Sequence, residues 1–161
     1  MDLSRLSDRF TVKALAEADA DAVCALCAGN PLFYQYHPPF VTRESILADM
    51  AALPPGKSYE DKFYFGFFSP ERLVAVMDLV LRYPDRETAF IGFFMVDIQD
   101  QGRGTGTEII GGCAARLREL GFRRLRLGVD RGNPQSFAFW TKSGFAPAGE
   151  NDHLIYMDRR L

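Results

Sequence analysis

The stretch from Phe90 to Leu120 leaves little freedom in how this chain can fold. The apolar run Phe90-Ile-Gly-Phe-Phe-Met-Val96 meets a polar, glycine-dense corner that ends in Gln101-Gly-Arg-Gly-Thr-Gly106. From Thr107 onward the apolar residues fall at 109, 110, 113, 114, 117 and 120, the spacing of one helical face. The expected order is therefore strand, loop, helix. Gly121 directly after the last apolar position, with Arg116 and Arg118 in the final turn, predicts the helix end.

The physics of the corner points to a phosphate. Glycines at 102, 104 and 106 let the backbone approach a ligand and turn N–H groups toward it. The helix that follows presents unpaired N–H groups and the positive end of its dipole, and Arg103 adds a formal charge. A tight turn that merely needs glycine is the plainer reading. The coincidence of three alternate glycines, an arginine and a helix start favours the phosphate. It is not the dinucleotide fingerprint, which needs glycine at 107 or 109, positions held by Thr107 and Ile109. Nor does the corner meet the P-loop pattern.

At 161 residues the chain has the mass for one domain, 1–161, with a real core. A net charge of −2 and a pI near 5.7 leave no extended basic face for nucleic acid. No uncharged apolar run approaches the roughly 20 residues of a membrane span, and Asp2, Arg5, Asp8 and Arg9 interrupt any signal-peptide core. The expected location is the cytosol, with neither nucleic acid nor membrane as a partner. Cys24 and Cys27 form a Cys-x-x-Cys, but the spacing puts both thiols on one apolar helix face with no second ligand pair. Buried structural thiols and no metal are expected.

The remaining elements follow from punctuation. Residues 9–14 alternate as a first strand, and a helix then runs to about Cys27, broken by Gly29-Asn-Pro31. Leu32-Phe-Tyr-Gln-Tyr-His-Pro-Pro-Phe40 reads as an aromatic loop, either capping the core or walling a substrate through Tyr34, Tyr36 and His37. Thr42 is the expected N-cap of a second helix ending before Pro54-Pro55. Residues 62–68, 73–81 and 88–96 form three strands joined by turns, and 123–129 forms a fifth strand, parallel to the fourth because a helix crosses between them. Asn133 caps a last helix that stops at Gly144, and a closing strand runs through 153–158.

Gln101-Gly-Arg-Gly-Thr-Gly106 resembles the Gln/Arg-x-x-Gly-x-Gly/Ala signature of the GNAT family of acyl-CoA-dependent N-acetyltransferases. A second motif agrees: Asn133, Ser136, Phe139-Trp140 and Gly144-Phe145 match the family's Asn-x-x-Ala … Phe-Tyr-x-x-x-Gly-Phe, with Ser for Ala and Trp for Tyr. The order of elements is also the family's. The resemblance implies an α/β GNAT fold: a mixed central sheet of six to seven strands, helices on both faces, the fourth and fifth strands parallel and splayed. It implies acetyl-CoA as acyl donor, its pantetheine along Phe94, Met95 and Val96 and its pyrophosphate on Gln101, Gly102, Arg103, Gly104, Thr105 and Gly106. Asn133 and Phe139 would flank the pantetheine, and a homodimer is common in the family.

The implied chemistry is attack of a neutral amine on a thioester, which needs a base for the amine and an acid for the thiolate. Family members commonly use a Glu on the fourth strand and the Tyr of the last motif. Here no acid lies between Ala89 and Val96, and Trp140 stands at the Tyr position, an N–H donor but no usable acid. Asp78, inside an otherwise apolar strand, is one candidate base; its structural alternative is an ion pair with Arg82 on the same strand face. Glu87 is another, or a solvated turn residue. Tyr34, Tyr36 and His37 are candidate relays. The expected acceptor is a primary amine of a small molecule, peptide or protein. A catalytically degenerate acyl-CoA sensor and a different phosphate-binding α/β protein stay open.

Overall fold

The computed structural model describes residues 1–161. In chain order the elements are β1 (Thr11–Ala14), α1 (Ala20–Ala28), α2 (Pro31–Tyr36), α3 (Arg43–Ala51), β2 (Lys62–Phe68), β3 (Leu73–Leu81), β4 (Thr88–Val96), α4 (Thr105–Glu119), β5 (Arg124–Asp130), α5 (Pro134–Lys142), β6 (Ala146–Glu150) and β7 (Leu154–Arg160). Short 3-10 turns lie at Leu3–Leu6, Glu17–Asp19 and Ile98–Asp100. No helix is long and apolar enough to cross a membrane.

The strands form one seven-stranded sheet in the order β1-β2-β3-β4-β5-β7-β6. Every pairing is antiparallel except β4 with β5, which α4 joins by a crossover. β3 lies near the middle and all nine of its residues are buried, as expected of a strand covered on both faces. β5 instead alternates: Leu125, Leu127 and Val129 are buried, while Arg124, Arg126 and Gly128 are half-buried on the other side.

Two clusters cover the sheet. On one face, α4 buries Ile109, Ile110, Cys113 and Leu117 against Phe65, Met77, Leu79, Ile91, Leu125 and Leu127, with Trp140 and Phe145 filling the end. On the other, α1 and α3 pack Val23, Leu26, Cys27 and Ile46 on Tyr64, Val76 and Met95. The small residue at 112 is required by α4's neighbour: a Cβ there would stand 2.5 Å from the Leu6 carbonyl oxygen. This second cover stops short of β5 and β7 and leaves that part of the sheet open.

Caps form as their sequences predict. The Thr42 hydroxyl accepts from the Ser45 N–H at 3.1 Å, and Asn133 Oδ1 accepts from the Ser136 N–H at 3.0 Å with Pro134 in the first turn. Two expectations need correction. The aromatic loop is partly helical, because Pro31 starts a turn that Phe33 closes by accepting the His37 N–H at 3.1 Å. The strand β6 was not foreseen; all its residues are exposed, and Pro147 and Gly149 hide any alternation.

Candidate active site

β4 and β5 pair only from Thr88↔Arg124 to Ile91↔Leu127. Beyond that, β4 stays with β3 as far as Val96 and β5 stays with β7 as far as Asp130, so the sheet forks. The Asp97 N–H donates to the Val74 carbonyl at 2.8 Å, which sets the alternation along β4. Met95 therefore turns its backbone groups toward β3, while Phe94 and Val96 turn theirs into the gap. Expected contacts from Phe94 and Val96 are compatible with that geometry; the one from Met95 is not. A bulge marks the fork: Asp78 lies opposite Phe93 and Leu79 opposite Ile91, so Gly92 has no partner in the ladder.

The corner beyond β4 is tied to the strand end. Gln101 Nε2 donates to the Val96 carbonyl at 2.9 Å and to Asn30 Oδ1 at 2.5 Å, and buried Asn30 in turn donates to the Leu26 carbonyl at 3.1 Å. Gly102 and Gly104 have φ of 71° and 84°, with open space where a Cβ would stand. Glycine is needed there for conformation, not for room. Gly104 is the N-cap of α4, and the first intrahelical bond runs from the Glu108 N–H to its carbonyl. The N–H groups of Thr105, Gly106 and Thr107 precede that bond and have no intrahelical acceptor. Gly106 differs: its Cβ would approach the Phe139 ring to 2.9 Å, and that ring stacks at 6.1 Å on Phe94. The chain's Gly-Lys-Ser tripeptide at 56–58 lies elsewhere, after α3, and Ala51 stands where a P-loop needs its first glycine.

Beside the fork, on the face that α1 and α3 leave open, is a cavity of about 500 Å³. Its floor includes Asp78, Val80, Phe90 and Gly92, and Arg126 and Tyr156 line it from β5 and β7. Asp78 is not paired with Arg82, which has φ of 57° and turns to Asp61 instead. Its partner is Lys62 of β2, with Nζ 2.7 Å from Oδ2 and only 3% of the lysine side chain exposed. Asp78 Oδ1 is buried without a partner. Burial pushes the Asp78 carboxyl above its ordinary value, against the downward pull of the Lys62 ammonium. A Cβ at residue 92 would come 2.7 Å from Oδ2, so glycine leaves the carboxylate its place.

Other expected site residues are distributed differently. Glu87 is at the opposite end of β4, where its carbonyl accepts from the Arg123 and Arg124 N–H groups and its carboxylate pairs with Arg123 at 3.3 Å. Six residues of strand, about 20 Å, separate it from Phe93 at the fork, which removes it as a base. Trp140 is buried among Phe94, Phe139 and Phe145, a core position with no part in proton transfer. His37 reaches across the gap: its Nδ1 lies 3.0 Å from Asp130 at the end of β5, while Phe33 stacks on its ring and packs edge-on against Phe93 of β4. Tyr36 is half-buried in the same turn. Tyr34 faces inward, packed against the cluster formed by α1 and α3.

All three thiols are free, and Cys24 is only half-buried, contrary to the expectation from its spacing. Cys27 and Cys113 are fully buried, and burial raises both to about 12. Iodoacetamide at pH 8 is expected to leave both unmodified in the native protein and to alkylate them once the chain is unfolded, read by peptide mass spectrometry. Rapid native labelling of Cys27 would contradict its structural role.

A sheet forked at its single parallel pair, with a glycine corner and a helix N-terminus at the open end, is the architecture of acyl-transferring enzymes. The family model described as Acetyltransferase (GNAT) family matches residues 30–145, and the chain belongs to that family. Among solved structures, an acetyltransferase from Thermus thermophilus is 25% identical with a TM-score of 0.80, the match covering 93% of this chain and 96% of that one. PaiA N-acetyltransferase from Thermoplasma acidophilum, solved with coenzyme A, is 16% identical over 93% of this chain and 98% of its own, with a TM-score of 0.70. Spermidine N-acetyltransferase from Vibrio cholerae, solved with coenzyme A and spermine, is 15% identical over 96% of each chain, with a TM-score of 0.69. No curated protein sequence matches.

Proposed function

We propose that the protein is an acetyl-CoA-dependent N-acetyltransferase that acylates a primary amine of a small molecule, peptide or protein by direct transfer in a ternary complex. The observation that carries this reading is the buried, half-satisfied carboxylate of Asp78 at the fork of β4 and β5, beside a cavity large enough for an acceptor. The donor supplies an acyl thioester. Gly102 to Gly106 would hold its pyrophosphate through backbone N–H groups and the α4 dipole, with Arg103 alongside. The free edge of β4 at Phe94 would pair its pantetheine amides, and Phe139, stacked on Phe94, would pack beside them. Asn133 is occupied as a helix cap through Oδ1, which supports a structural role first.

Asp78 is the base of the proposed reaction. As the amine nitrogen bonds to the thioester carbon and the carbon–sulfur bond breaks, Asp78 accepts the proton that the nitrogen loses. The thiolate leaves with its electron pair and is protonated by solvent. Lys62 keeps the carboxylate oriented, and the fork brings both reactants into one cleft. A chain with three free thiols suits a reducing compartment such as the cytosol.

The test is transfer of radiolabelled acetyl from acetyl-CoA to a panel of primary amines. A base must be deprotonated to act, and burial raises Asp78, so activity is expected to fall with acidification at a pH above the ordinary carboxylate range near 4. A profile of kcat/KM checks this. The lack of an acid on β4 and the burial of Trp140 favour one second reading, an acyl-CoA sensor without catalysis. Acetyl transfer to any amine excludes it.

A further inference from the structure

We infer that the acceptor carries an acidic group, separated from its reacting amine by a short apolar spacer. This rests on the transferase reading and names the substrate class of that same cavity. Hydrogen-bond donors and acceptors are divided between the two ends of the cavity wall.

At the fork end stands Asp78, whose carboxylate lines the cavity and is an acceptor suited to an amine N–H. At the far end stand two donors. Arg126 donates through Nε and one terminal nitrogen to Asp158, at 2.6 and 2.8 Å, which fixes the plane of the guanidinium. Its other terminal nitrogen, Nη1, bonds to nothing in the chain. A planar fork with one free N–H edge is suited to a carboxylate or phosphate oxygen.

Tyr156, on β7 beside Arg126, adds the second donor. Asn151 Oδ1 accepts from the His153 and Leu154 N–H groups, so its Nδ2 must donate to the Tyr156 oxygen, 3.1 Å away. Because that oxygen accepts, the phenolic hydrogen is free to donate elsewhere. Between the two ends the floor is Val80 and Phe90, with the Tyr83 ring edge-on against Phe90, so that the middle of the wall is largely apolar.

The register gives the spacing. Arg126 pairs with Phe90 and Phe90 with Val80, so Arg126 is two strands across and two residues along from Asp78. That separates their Cα atoms by about 12 Å, at roughly 4.8 Å between strands and 3.4 Å per residue. An amine and an acid on one carbon, as in an α-amino acid, would not engage both ends. An amine at the end of a short chain would.

The experiment measures kcat/KM for γ-aminobutyrate and δ-aminovalerate against propylamine and butylamine, the same chains without the carboxylate. Glycine and alanine serve as α-amino acids. The acid-bearing chains are expected to exceed their alkylamine counterparts by tenfold or more, mainly through KM, and to exceed the α-amino acids. The preference should vanish in Arg126→Leu, and also in Arg126→Leu/Asp158→Leu, which leaves no orphaned charge if the single variant folds poorly. Tyr156→Phe should reduce the preference in part. Equal rates for the paired amines in the wild type, or a preference unchanged in the double variant, overturns the inference while the transferase reading survives. No turnover of any amine by a protein that binds acetyl-CoA overturns both.

Discussion

Asp78→Asn is expected to lower kcat by about 10²- to 10⁴-fold, the range that a positioned general base contributes. Acetyl-CoA affinity should stay within a few-fold of wild type, because the residue lies at the acceptor side of the fork. Stability also has to be followed. Lys62 is almost completely buried and Asp78 is its only ion-pair partner, so the substitution leaves an ammonium without its countercharge. Losing one member of a buried pair costs about 3–5 kcal/mol when nothing replaces it. Here the asparagine carbonyl can still accept from Nζ, so the loss should fall below that range. Lys62→Met alone is the harsher change, since it strands a buried carboxylate. Asp78→Asn combined with Lys62→Met removes both charges and should melt closer to wild type than Lys62→Met alone, yet remain inactive. Thermal melts with single-turnover assays separate the two effects. Wild-type turnover by a folded Asp78→Asn protein would remove Asp78 from the mechanism.

Gly104→Glu should abolish measurable acetyl-CoA binding, a loss of at least about 100-fold, or roughly 2.7 kcal/mol. Two causes act together. Residue 104 has φ of 84°, where most residues with a Cβ, glutamate among them, pay about 1–2 kcal/mol. The new carboxylate would also sit at the N-terminus of α4, where the dipole favours it, and would compete there with the incoming pyrophosphate. Gly104→Asn is the control, since asparagine tolerates the left-handed region and carries no charge. It should retain most of the affinity. Titration calorimetry of the three proteins decides the matter, and an unimpaired glutamate variant would mean that the corner does not hold the phosphates.

Much of this arrangement was legible in the sequence where local chemistry dictates structure. The bounds of β2, β3, β4 and α5 follow from apolar runs stopped by turns and from Asn133-Pro134 at a helix start. The glycine corner was legible because its backbone conformation restricts which residues can stand there. What escaped depends on register or on a single dihedral angle. Arg82 was expected beside Asp78 by strand periodicity, but its positive φ carries it off the strand face to Asp61. Lys62 is 16 residues from Asp78, and nothing local marks the two as cross-strand neighbours. The bulge at Gly92 shifts the register by one, so counting along β4 misassigns which residues face the acceptor. Met95 fails for the same kind of reason: side-chain burial was legible, but the direction of its amide depends on the ladder. Glu87 was plausible only until the strand had a direction and a length.

The tie between His37 and Asp130 gives the fork a further meaning. An unpaired strand edge normally invites any passing strand to add to it, which is how sheets aggregate. Here the unpaired edge of β4 lies inside a notch between two halves of one sheet, roofed on one side by the turn that carries Phe33 and His37. The fork thus sets the unpaired backbone groups of β4 within the sheet rather than at its outer rim, where another chain's strand could add to them.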